Sequence, residues 1–169
     1  LRKALTGSVE IGKPESQSLT LLAGLTEDKD NLLGSQGTSA FSLEGSKSLT
    51  TFAALKAQKR LRDNFSITGI ASIGSTDMSS PSNSFVDSAS NVRSSSIALI
   101  ADMKNITKDD NFSFSIHQPS RVESGSIAIK TASLADANRN ILQTVKNINL
   151  ESSSRQVDFG MSYRKDLSE

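Results

Sequence analysis

FSFSIHQPSRVESGSIAI, residues 112–129, alternates apolar and polar side chains, breaks off between Pro119 and Gly125, and then alternates again. A side-chain period of two belongs to a β-strand, whose successive residues point to opposite faces. Phe112, Phe114 and Ile116 share one face, and Ser113, Ser115 and His117 the other. By simple alternation Pro119, Arg121 and Glu123 join the Ser113 face, and Val122 continues the Phe112 face. Past Gly125 the apolar positions, Ile127 and Ile129, change parity. Pro119 removes a ladder donor and Gly125 permits positive φ, so this corner is expected to stop pairing and reset the register. Arg121 and Glu123 are expected to form an ion pair at the corner. In a structural role the pair fixes the corner; in a functional role it touches another segment.

The same period recurs on both sides of this stretch. Leu5, Gly7, Val9 and Ile11 alternate with Thr6, Ser8 and Glu10, and Leu19, Leu21, Ala23 and Leu25 follow. Ser39, Phe41 and Leu43 repeat the pattern briefly, then Leu49 to Ala57, Phe65 to Ile73 and Ile97 to Met103. Near the end Val157, Phe159, Met161 and Tyr163 make the cleanest case. ILQTVKNINL (141–150) fits helical spacing as well as strand spacing, and its neighbours favour strand. Turn signals lie between these runs at Lys13-Pro14, Asp28 to Asn31, Leu61 to Asn64 and Lys108 to Asn111. Short polar links between consecutive strands give hairpins, so the predicted fold is all-β: an antiparallel meander of about ten amphipathic strands in one domain, forming a β-barrel or part of one. A soluble β-sandwich is the alternative. One Ser-rich connection, 75–93, is predicted to be a long exposed loop.

Composition narrows the classes. A net charge of +1 over 169 residues provides no basic field for nucleic acid. The densest basic run, KAQKRLR (56–62), reads as a solvated strand end. There is no cysteine for a disulfide or thiolate site and no tryptophan. The longest purely apolar run, IALIA (97–101), is far below the ~20 residues of a membrane helix, so a bilayer could be met only through strands. The chain opens without Met or an apolar run of signal-peptide length, which reads as a piece of a longer protein.

Chemistry-bearing motifs are few. GTSA (37–40) matches the nucleophile turn of subtilisin-like peptidases, yet Ser39 runs on into an alternating stretch. The single histidine, His117, sits inside a strand pattern. A serine nucleophile needs a base held by a carboxylate, and no such grouping is legible, so no catalytic residue is assigned. TEDKD (26–30) lacks the glycine and distal glutamate of a calcium loop and reads as a hairpin tip. No phosphate loop, metal cluster or nucleotide fingerprint occurs, so neither metal nor cofactor is expected.

Three segments carry a resemblance: 32–74, from LLGSQGTSAFSLEG to ASIG; FSFSIHQPSRVESGSIAI; and SSSRQVDFGMSYRKDL (152–167). In that order and spacing they resemble the C-terminal β-region of autotransporter-like bacterial subtilisin-family serine peptidases. The resemblance covers most of the chain, through the Leu-Leu-Gly-Ser lead-in, the Pro-x-Arg-Val-Glu-Ser-Gly corner and the Val157 to Arg164 strand. It implies a non-catalytic β-domain downstream of a peptidase passenger, acting as translocator or anchor at the outer membrane or cell surface. A soluble accessory domain of such a secreted peptidase is the alternative. The implied partners are the passenger domain and the outer membrane, with Pro119, Arg121, Glu123 and Gly125 as the corner that could touch the passenger. Two features depart from membrane barrels of this kind: seven Phe and one Tyr are few for an aromatic belt, and the ending RKDLSE lacks a terminal aromatic strand.

Overall fold

The computed structural model describes residues 2–13, 15–135 and 141–165. Pro14 and the last residues of RKDLSE lie outside them. The described chain forms a single antiparallel sheet of eight strands. These are β1 (Arg2–Lys13), β2 (Gln17–Lys29), β3 (Lys47–Arg62), β4 (Phe65–Met78), β5 (Val86–Lys104), β6 (Asp110–Ala135), β7 (Ile141–Asn149) and β8 (Asp158–Lys165). Order in the sheet follows order in the chain from β1 to β7, and β8 pairs with β6. No described strand joins β1 to β7 or β8, so the sheet is open.

β6 organises one side. Its second half, Ser126 to Ala135, pairs with β7, and its first half, Asp110 to His117, pairs with β8. β5 occupies its other edge along both halves. β7 and β8 therefore lie end to end against one long strand, interrupted by residues 150–157. The ambiguous segment 141–150 is a strand, because the ladder offered by β6 outweighs a helical spacing of only three apolar residues.

The two ends of the sheet differ. At one end β1–β2, β3–β4 and β5–β6 are joined by short turns; at the other lie the longer links 30–46 and 79–85. These two links interlock. The Phe85 N–H donates to the Ala40 carbonyl at 2.8 Å, the Ser82 N–H to the Glu44 carbonyl at 2.8 Å, and the Phe41 and Phe85 rings meet edge-on at 6.2 Å. Leu43, Met78, Val86, Ala89 and Val92 form a small buried cluster beneath them.

Two expectations are corrected here. The stretch 75–93 is not a long loop: strand runs through Met78 and resumes at Val86, leaving only 79–85 outside. Its many Ser and Asn residues concealed Val86, Ala89 and Val92, which supply three members of the buried cluster. Ser39 to Phe41 is a 3-10 turn and not a strand, with Ser39 at φ 56. Phe41 and Leu43 are held there by Phe85 and the cluster, so their alternating spacing reflects tertiary contacts and not a ladder.

Candidate functional site

The register assigns every strand residue to one of two faces. Val9, Leu21, Leu55, Ala71 and Ile97 lie in one cross-strand row. The next row holds Ile11, Leu19, Ala57, Gly69, Leu99, Ile116 and Phe159. This apolar face is the exposed one: Leu21 is 49%, Ile73 66% and Phe159 70% accessible. The opposite face carries the buried hydroxyls. Ser18, Thr26, Ser48, Thr68 and Thr76 are each below a tenth exposed. Hydroxyl pairs cross it, Thr50 to Thr76 at 2.8 Å and Ser72 to Ser96 at 2.7 Å. The described sheet thus shelters much of its polar side and leaves its apolar side accessible.

The apolar band also slants. On β1 and β2 it reaches from the Ile11–Leu19 row up to Leu5–Leu25; on β6 and β8 it reaches down two rows further, to Phe112–Tyr163. A level band crossing tilted strands has this appearance in register coordinates. Of the eight aromatic residues, Phe65, Phe112, Phe114, Phe159 and Tyr163 gather in its lowest rows, toward the short turns. These aromatics are few by count, and their clustering appears only when the strands are in register.

The Pro119–Gly125 corner faces the interruption between β7 and β8. The Arg121 guanidinium donates through Nη2 to the Ser152 carbonyl at 2.9 Å and through Nη1 to the Ser154 carbonyl at 3.3 Å. Leu150 N–H donates to the Gly125 carbonyl and Ser152 N–H to the Val122 carbonyl, at 3.0 and 3.1 Å. Arg121 Nε stands 3.4 Å from Glu123 Oε1 but is not aimed to hydrogen-bond, so that contact is one of charge alone. Ser95 donates its hydroxyl to the same carboxylate, and Arg155 lies 3.9 Å from it while bonding Gln118 Oε1 at 3.1 Å. The corner therefore pins 150–157, a segment of this same chain.

Faces at the corner are exchanged relative to simple alternation. Gln118 is opposite Ile97 and Arg121 opposite Ser95, which leaves β6 one residue longer than β5 at Pro119–Ser120. A bulge of this kind flips parity. Arg121 and Glu123 thus stand on the side of Ser95 and Ile73 and not with Ser113, and Val122 packs against the buried cluster and not with Phe112. Gly125, at φ +141, approaches Val92 so closely that a Cβ would fall 2.6 Å from its Cα.

His117 is opposite Asp158 where β8 begins, Nε2 to Oδ2 3.4 Å, and Gln156 also donates to Asp158 at 2.8 Å. Ser39 belongs to the long-link end, where its carbonyl accepts the Ser42 N–H. The structure does not bring Ser39 and His117 together into a bonded pair among the described residues.

Glu123 lies beyond the apolar stretch of β6. Its carboxyl is held below the usual carboxylate range, chiefly by the Ser95 hydroxyl, with burial opposing and Arg121 and Arg155 adding to the lowering. A lowered folded-state value means the ionised form stabilises the fold above the ordinary carboxylate pKa, and that contribution is lost as pH falls through the lowered value. Glu123→Gln should accordingly flatten the acid limb of a stability-versus-pH curve and leave its neutral and alkaline limbs parallel to the wild type. An unchanged acid limb would show that the carboxylate does not act in this way.

Comparison of the chain with protein-family models, with curated proteins and with solved structures finds no match.

Proposed function

We propose that this chain is a non-catalytic, membrane-facing β-domain, with its outward apolar band against lipid and its shielded hydroxyl-rich face toward water or a threaded segment. One observation carries the reading: on β2 to β5 the apolar positions of the alternating strands are the more accessible ones, and the polar positions are the more sheltered. Backbone groups that meet hydrocarbon must be hydrogen-bonded within the protein, which paired strands provide along their shared edges. The slant of the band and the aromatic cluster at its lower border support the same orientation. The resemblance to autotransporter-like subtilisin-family peptidases makes the outer membrane the bilayer and a peptidase the passenger, with this domain as its translocator or anchor.

The absence of tryptophan makes a direct test available. A single Trp introduced at Leu21, on the outward face, should be quenched by brominated acyl chains after reconstitution with vesicles. A Trp at Thr20, its neighbour on the sheltered face, should not be. Equal quenching at both positions, or none at Leu21, would refute the lipid-facing assignment.

A further inference from the structure

Along β1, β2 and β3 the lower border of the apolar band carries only basic charge. Lys13, Gln17 and Lys59 form the row immediately below Ile11, Leu19 and Ala57, and Arg62 stands opposite Phe65. Lys13, Lys59 and Arg62 are exposed, and none belongs to an ion pair among the described residues. Of the acids at this end, Glu15, Asp63 and Asp109 sit in the turns, further from the band, and Asp110, in the row beyond Phe112 and Tyr163, is buried and accepts hydrogen bonds from the Thr107 and Tyr163 hydroxyls. At the upper border the corresponding row is Lys3, Glu27, Leu49 and Asp77, and the row beyond it pairs Lys29 with Lys47, so cations and acids are mixed there. Long basic side chains beside an apolar surface lay their methylene stems along it and extend their charge outward. Next to them lie Phe65, Phe112 and Tyr163, side chains suited to the boundary between hydrocarbon and water.

We propose that this rim is an anionic-lipid-binding surface: Lys13, Lys59 and Arg62 contact the phosphates of acidic phospholipid headgroups on the leaflet at the short-turn end. The proposal rests on the membrane-facing reading and adds to it a leaflet and a lipid chemistry. It also gives KAQKRLR a task beyond that of a solvated strand end, since Lys59 and Arg62 come from that run. Asymmetry is what the rim contributes. A band of apolar residues alone fixes depth in a bilayer, whereas three cations on one border and a mixed row on the other fix direction.

The test is partition of the full chain into phosphatidylcholine vesicles and into the same vesicles containing phosphatidylglycerol. The wild type should bind both, and the anionic ones more tightly, with the difference shrinking as salt rises. Each charge near such a surface contributes about fivefold, so Lys13→Gln, Lys59→Gln and Arg62→Gln together should remove a preference on the order of a hundredfold. Affinity for neutral vesicles should stay as it was. Lys3→Gln, Lys29→Gln and Lys47→Gln, at the opposite end, should leave the preference intact. Equal binding of the wild type to both vesicles would overturn this proposal alone, as would equal losses from the two triple variants. Binding to neither vesicle would overturn the membrane-facing reading and this inference with it.

Discussion

Leu55→Arg should cost about 2–4 kcal/mol of folding stability in a lipid bilayer, the penalty for a basic side chain on the lipid face near the midplane. Leu55 is the right position because it lies within the band on β3, with Leu21 and Ala71 beside it in register. The same substitution separates the two settings sharply. At 39% exposure, Leu55 in water would tolerate arginine with a change within about 0.5 kcal/mol, as surface positions do. Unfolding in urea from vesicles gives the first number, and the equivalent experiment without lipid gives the second. A cost near zero in vesicles would mean that this face does not meet hydrocarbon. A partner variant, Thr20→Arg, belongs to the sheltered face and should show no dependence on lipid.

Gly125→Ala should destabilise the chain by about 2–5 kcal/mol, from backbone strain together with overpacking. Two causes act at once. The φ of +141 is one that side chains with a Cβ rarely adopt, and the new methyl would meet the Val92 backbone, not a flexible side-chain end. Val92 is fully buried, so relief by moving it disturbs the cluster under the interlocked links. The carbonyl of Gly125 also holds the Leu150 N–H, so the damage should spread to residues 150–157 and appear there as faster amide exchange. Gly7→Ala is the control: an added methyl meets nothing within 4 Å. A midpoint for Gly125→Ala equal to that of Gly7→Ala would contradict the close approach.

The strands were readable because a period of two needs only composition at alternate positions, as in Leu19 to Leu25 or Phe159 to Tyr163. Their direction was not. Alternation is unchanged when the two faces are swapped, so Leu21 outward and Thr20 sheltered, or the reverse, write the same string. Only exposure in the folded sheet separates them. The faces of Arg121 and Val122 are hidden in the sequence for a different reason. Parity counting assumes one residue per rung, and the extra residue at Pro119–Ser120 breaks that count, although Pro119 itself signalled trouble. Residues 86–93 were hidden because Ser and Asn can occupy a strand whose few apolar members are packed by a link far away in sequence. The contact between Arg121 and residues 150–157 had no local signal, since its acceptors are backbone carbonyls that any residue supplies.

The end-to-end placement of β7 and β8 has a topological consequence. Because they share one column beside β6, eight strands make seven columns. With neighbours antiparallel throughout, the first and seventh columns travel in the same direction. A cylinder made by joining those two margins would contain one parallel seam, the arrangement that an odd strand number imposes. A cylinder without such a seam requires additional strands in odd number: one, three or five, never two or four.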